Sequence, residues 1–474
     1  MGHGRHLRVA GLAVAALALL VAPPATAYDS QREQDNYRKL GERFQEEQAA
    51  PEYQAGQAAT QVGNVVSLAR RDAEERDRTS VTMCAAGVSI CSRDHRLDDW
   101  SAYGTREPVV FMGRNGAHLE GSVWASAQTA RAGAPVPAVV IETGSVQAPE
   151  GWYRWAAQVL AAHGYVVLTF DVQGQGRSDT LGSGADVLRG VPAQQAEHFV
   201  ESAQDALDFL LSTPAAPYAP RRASGTAAQQ AEVAAGDAAA HNPLHSLVDP
   251  ARVGAVGHSL GAYGVSALQD IDTRVDAIVA WDNLRSGRQG ETTQPVPGGE
   301  FAPRVPALGM SADYGLVPSP KGSDPNPQEK NGAFHHWRAA GMDVMQVNLR
   351  GAAHYEWSYS PSAAFVPPAS LRGIDVAAWY TTAWLDRFVK GDPGADARLL
   401  SDRFLADPVD VAIDPAEGGN MFSFYYRSPA AFRRADGTPV ACDDLRSGCT
   451  ALLASDGEPR NPAYSYLEDR KRGQ

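Results

Sequence analysis

Short apolar runs alternate with longer segments of helical periodicity through the middle of this chain. Ala138–Ile141, Tyr165–Phe170, Val253–Val256, Val275–Trp281, Ala307–Met310 and Val344–Asn348 are brief and almost uniformly apolar, which predicts strands buried on both faces. Between and after them, Trp152–His163, Gln194–Leu211, Ala262–Asp270, Ala333–Ala340 and Asp375–Val389 predict helices. Parallel strands need a crossover each time, so this rhythm predicts an α/β fold with a mostly parallel central sheet and helices on both faces. Ahead of it, two alternating runs flank Arg114-Asn115-Gly116, and Asn-Gly in that setting predicts an N-terminal hairpin.

The flanks have a different texture. Residues 28–106 are rich in Gln, Glu and Arg and suit solvated helices, so they are expected as an N-terminal helical extension of a unit at 107–390. Within that unit, insertions are expected at about 213–250 and 283–304, the first as an Ala-, Pro- and Gln-rich surface excursion. Residues 391–474 form a C-terminal extension, whose aromatic cluster Phe422, Phe424, Tyr425 and Tyr426 is expected to pack on the core. Residues 1–27 read as a secretory signal: Arg5 and Arg8, a 14-residue uncharged run from Val9 to Ala22, and a small-residue exit at Ala25-Thr26-Ala27. A membrane span needs about 20 apolar residues. The expectation is therefore a secreted protein with no stable membrane insertion.

Composition narrows the partners. With 42 basic against 55 acidic residues the formal charge is -13, so nucleic acid is excluded as an expected partner. The 44% hydrophobic and 20% charged content excludes disorder as a description of the whole chain. Four cysteines allow three pairings. The two local ones, Cys84 with Cys91 and Cys442 with Cys449, are expected because each closes a short loop in an oxidising compartment. Neither pair has CxxC spacing, so no metal site, and no other cofactor, is expected.

The chemistry concentrates around Gly257-His258-Ser259-Leu260-Gly261, where a predicted strand runs directly into a GxSxG and a predicted helix runs out. A sharp turn there leaves no room for a Cβ at the flanking positions and presents the serine hydroxyl at the sheet edge. A hydroxyl is a weak nucleophile without a base, and His354, just beyond the last predicted core strand, can reach it because parallel strands open their loops at one edge. An acid must orient the imidazole: Asp313, after Ala307–Met310, is the expected acid, with Asp282, after Trp281, as its substitute. The expected oxyanion donors are the backbone N–H groups of Leu260 and of Ser145 in Thr143-Gly144-Ser145-Val146.

These residues, with Asp171-Val172-Gln173-Gly174-Gln175-Gly176-Arg177-Ser178 after the second core strand, give residues 107–390 a resemblance to the α/β-hydrolase superfamily, and within it to the dienelactone-hydrolase and polyester-hydrolase side. The resemblance implies an α/β-hydrolase fold and a serine hydrolase acting through an acyl-serine intermediate. Thr143-Gly144 stands where relatives usually have His-Gly or Pro-Gly. The expected substrate is a small or polymeric carboxylic ester. Two alternatives stand beside it: a peptidase or amidase with the same residues, and a non-catalytic binding protein on a hydrolase-like fold.

Overall fold

The computed structural model describes residues 100–145, 149–179, 195–287, 299–315, 319–358, 371–400 and 422–447, with scattered helical positions between 30 and 65. The segment 1–27 lies outside the described residues, as do Cys84, Cys91 and Cys449, so both expected cysteine pairings fall there. Strands are β1 (Gly104–Met112), β2 (His118–Ser126), β3 (Val136–Glu142), β4 (Val166–Phe170), β5 (Val248–His258), β6 (Ala277–Trp281), β7 (Ala307–Ala312), β8 (Val344–Leu349), β9 (Ala430–Arg433) and β10 (Pro439–Cys442). Helices are α1 (Ala127–Ala132), α2 (Arg154–Ala162), α3 (Ala196–Leu210), α4 (Ala223–Ala235), α5 (Leu260–Ile271), α6 (Gly332–Ala339), α7 (Leu371–Leu385) and α8 (Ala395–Leu399). Among the described residues, no helix is long and apolar enough to cross a membrane.

All ten strands form one sheet in the order β1-β2-β4-β3-β5-β6-β7-β8-β9-β10. From β4 to β8 the pairing is parallel throughout. Antiparallel pairs close both ends: β1 with β2 and β2 with β4 on one side, β8 with β9 and β9 with β10 on the other. The hairpin forms where Asn-Gly predicts it, and Gly116 adopts φ 87, a left-handed conformation open to glycine without a Cβ penalty.

Successive residues of a strand point to opposite faces, and the core divides accordingly. On one face Val139, Ile141, Val167, Val256, Val279 and Met310 pack with Trp155 of α2 and Tyr380 and Trp384 of α7. On the other, Val140, Leu168, Ala255 and Ile278 pack with α3, α5 and α6 through Phe199, Leu207, Val265, Leu268 and Trp337. Because both faces are covered, the strands carry apolar residues continuously, and the β4 sequence VVLTF is buried at every position.

One insertion and the C-terminal part are both tied into the sheet. Within the 213–250 insertion, α4 docks on the hairpin through polar anchors: Gln229 accepts from the Met112 N–H at 2.8 Å and donates to the Ala239 carbonyl at 2.8 Å. The Tyr218 hydroxyl donates to the Met112 carbonyl at 2.7 Å. In the C-terminal part, β9 and β10 extend the sheet beyond β8, with Val344 opposite Ala431. Phe432 is buried, its ring 6.1 Å from Trp384, while Phe422 and Tyr426 are buried as well. Phe432→Ala is therefore expected to destabilise the whole sheet by about 3–5 kcal/mol. A single shifted denaturation transition is the expected readout; loss of only a local, separate transition would mean the hairpin folds apart from the core.

Candidate active site

The parallel strands β3, β5, β6, β7 and β8 end at Glu142, His258, Trp281, Ala312 and Leu349, so the loops that follow converge along one edge of the sheet. Ser259 sits between β5 and α5 with φ 58 and ψ -118, a conformation that costs energy for a residue with a side chain. Its neighbours make that turn possible. A Cβ on Gly257 would lie 2.1 Å from the Gly261 carbonyl oxygen, and a Cβ on Gly261 would lie 2.5 Å from that of Thr143. The Ser259 N–H donates to the Trp281 carbonyl at 2.9 Å, tying the turn to β6.

His354 opens a short 3-10 turn, His354–Trp357, beyond β8. Its Nε2 stands 2.9 Å from Ser259 Oγ, and its Nδ1 stands 2.6 Å from Asp282 Oδ2. In the neutral imidazole the Nδ1–H donates to the carboxylate and Nε2 accepts the serine proton. Asp282, the first residue past β6, has φ 44 and is anchored by its own N–H donating to the Met310 carbonyl at 2.8 Å. Burial opposes its ionisation, but the His354 hydrogen bond and the charges of His354 and Lys330 prevail and hold the carboxyl below its ordinary range.

The carboxylate at the histidine is thus that of Asp282, and the expectation of Asp313 is corrected. Asp313 is buried and turned to other partners: Oδ2 accepts from the Gly351 N–H at 2.8 Å and Oδ1 accepts from the Ser423 hydroxyl. Both acids follow adjacent strands between the serine and the histidine in sequence, so chain order does not distinguish them. What does is the strand each one ends: β6 lies directly beside β5, which carries the serine, whereas β7 lies one strand further away.

A second histidine completes the support. His258 is buried, and its Nε2–H donates to the backbone carbonyl of His354 at 2.8 Å, which leaves Nδ1 as an acceptor. The Tyr153 hydroxyl donates to that Nδ1 at 2.7 Å and itself accepts the Gly144 N–H at 3.0 Å. Burial, then the neighbouring His354, push His258 down to about 3, so it stays neutral and keeps this tautomer. From sequence His258 has no assigned role of its own, and Tyr153 has no motif at all. Leu260 opens α5, where the first N–H groups lack intrahelical partners. Gly144 lies against Ser259, since a Cβ there would be 3.3 Å from the Ser259 Cβ. Ser145 follows it, and residues 146–148 lie outside the described ones.

The Asp171 turn is structural. Asp171 accepts from the Glu150 N–H at 2.6 Å and the Arg177 N–H at 2.9 Å, while Ser178 donates to the Asp171 carbonyl at 2.6 Å. A Cβ on Gly176, at φ 49, would lie 2.3 Å from the Asp171 carboxyl. Next to this turn lies a cavity of about 400 Å³ lined by Arg106, Glu120, Glu150, Arg154, Asp171 and Arg177. Among the described residues, no group of three or more His, Cys, Asp and Glu is placed to hold a metal ion. Comparison with models of known families finds none that matches the chain, and comparison with curated proteins finds none that matches either.

Asp313 gives a pH signature of its own. Burial pushes its carboxyl up to about 6, against an ordinary value of about 3.9, despite the Ser423 and Gly351 hydrogen bonds. Between those values the folded state holds a proton that the unfolded state has lost, so this contribution is full below about pH 4 and disappears as pH rises through about 6. Asp313→Asn, which has no proton to lose, should gain roughly 3 kcal/mol relative to the parent between pH 4 and pH 7. Urea midpoints of both proteins at several pH values check this; a constant difference would contradict it.

Proposed function

We propose that this protein is a serine hydrolase of carboxylic esters, of α/β-hydrolase type and resembling the dienelactone-hydrolase and polyester-hydrolase side of that superfamily. The observation that carries the reading is the unbroken hydrogen-bonded line from Ser259 Oγ through His354 to Asp282, at 2.9 and 2.6 Å. The mostly parallel sheet with a turn of strained backbone at Ser259 is compatible with it. Secretion, expected from residues 1–27, belongs to the same proposal.

In this mechanism Ser259 Oγ attacks the acyl carbon as its proton passes to His354 Nε2. Asp282 holds the resulting imidazolium through Nδ1. The charge that develops on the acyl oxygen is met by the N–H groups of Leu260 and Ser145, because the Gly144 N–H is already bound to Tyr153. The tetrahedral adduct collapses as His354 returns the proton to the departing alkoxide, leaving an acyl-serine. Water, deprotonated by the same histidine, then releases the acid and restores Ser259. Since the base must be neutral, turnover falls on acidification.

Ser259→Ala should lower turnover of p-nitrophenyl acetate by at least about 10³-fold and abolish labelling by a fluorophosphonate. Asp282→Asn should cost about 10³- to 10⁴-fold in kcat, while Asp313→Asn stays within about tenfold of the parent. Equal losses in the two asparagine variants would contradict the assignment of the acid, and normal turnover by Ser259→Ala would remove the reading altogether. A matched ester and amide should differ in favour of the ester; a comparable amide rate would make the protein an amidase or peptidase.

Tyr153→Phe removes the acceptor for the Gly144 N–H and the donor to His258 together. The expected loss is about tenfold in kcat with KM little changed, since the interactions steady the site in which charge develops. Steady-state kinetics on the same ester measures it, and an unchanged kcat would show that the oxyanion loop needs no such brace.

A further inference from the structure

The segment that reads from sequence as a solvated extension places one carboxylate in the interior. Glu33 has no exposed surface. Its Oε1 accepts from the Tyr314 hydroxyl at 3.0 Å and from the Lys321 N–H at 2.7 Å, and its Oε2 accepts from the Tyr425 hydroxyl. Nearby, the ring of Tyr37 meets that of Tyr314 edge-on, with centroids 6.3 Å apart. A carboxylate leaves water only where donors replace its hydration, and here the donors come from the loop after β7 and from the C-terminal segment.

That loop also holds the backbone of the base. The Tyr314 N–H donates to the Ala352 carbonyl at 3.0 Å, the His354 N–H donates to the Gly315 carbonyl at 3.3 Å, and the Gly351 N–H donates to Asp313 Oδ2 at 2.8 Å. Ser423, two residues before Tyr425, donates to the same Asp313 carboxylate and accepts the Tyr425 N–H at 3.0 Å. Hydrogen-bonded routes from Glu33 through both segments therefore reach residues 351–354.

We propose that Glu33 is a positioning residue: by fixing Tyr314, Lys321 and Tyr425 it holds the 313–315 loop, and through it the backbone that sets His354 against Ser259. Glu33 reaches the reacting atoms only through this loop. Glu33 is thus a working part of the site rather than part of a passive flank. The kinetic consequence rests on the hydrolase reading, whereas the structural one does not.

The test compares full-length Glu33→Ala and Glu33→Gln with the parent in two ways. Hydrogen exchange followed by mass spectrometry should show amides 351–356 exchanging at least about tenfold faster in Glu33→Ala, with α5 and the central strands unchanged. On p-nitrophenyl acetate, kcat should fall about tenfold with KM within about twofold. Glutamine retains one acceptor oxygen and offers an amide that a tyrosine hydroxyl can accept, so Glu33→Gln should recover most of both losses. Unchanged exchange at 351–356, or equal acceleration throughout the sheet, would overturn the proposal, the second by reducing Glu33 to general stability. Local exchange acceleration with parental kcat would also overturn it. If the parent itself turns over no ester, the hydrolase reading fails and the exchange result still decides whether Glu33 holds this loop.

Discussion

The whole arrangement depends on one backbone position. Ser259 is held at positive φ between a strand that cannot shift, because β5 is paired on both sides, and a helix packed against the same sheet. The strain is tolerated because the surrounding structure over-determines it: Ser259 is tied to β6 through Trp281, and glycines at 257 and 261 let neighbouring backbone approach. Once the serine is fixed, everything else must come to it. The edge on which parallel strands end is where two further loops can do so without any strand changing direction.

Much of this is legible in the letters. Six core strands and five helices stand close to where apolar periodicity places them, since buried parallel strands and amphipathic helices have signals set by burial itself. Ser259 and His354 are legible for the same reason, as residues just past strand ends. The choice between Asp282 and Asp313 is not. It depends on strand order, in which β3 and β4 exchange places and β6 falls beside β5, and on a turn at Asp282 that no residue type announces. Glu33 is equally silent: in a run of Gln, Glu and Arg it looks like its neighbours, and only the tyrosines 281 and 392 positions away along the chain make it different. The way α4 is attached is not legible either, because a few buried polar anchors rather than an apolar face hold it.

The buried carboxyls show how the same group is put to different uses by its surroundings. Asp282 and Asp313 are both removed from water, yet one is held below its ordinary range and the other is pushed up to about 6. The difference is the partner: an imidazole that can become a cation favours the ionised form, whereas a serine hydroxyl and one amide do not outweigh burial. Among the described residues, Glu142, at the end of β3 and beside Gly264, has neither kind of partner for its carboxyl oxygens, and burial drives it far toward the neutral acid. That outcome suits its place. Under the proposed mechanism, an ionised carboxylate immediately before the Thr143-Gly144-Ser145 loop would oppose negative charge developing on an acyl oxygen there, and a neutral one would not.

His258 applies the same logic to a cation. A protonated imidazole at that point would carry a hydrogen on Nδ1 and lose the proton offered by Tyr153, and it would face His354 with ring centroids 4.8 Å apart at the moment His354 takes up its own proton. Complete burial removes that competition by keeping His258 neutral down to about pH 3. The result is an electrostatic asymmetry between two adjacent histidines: in the proposed mechanism one transfers the proton, and the other links the Gly144 loop to the His354 backbone through hydrogen bonds whose directions are fixed. The identity of the residue before Ser259 is therefore a constraint on geometry, because its side chain must offer one acceptor to the Tyr153 hydroxyl and one donor to the His354 carbonyl.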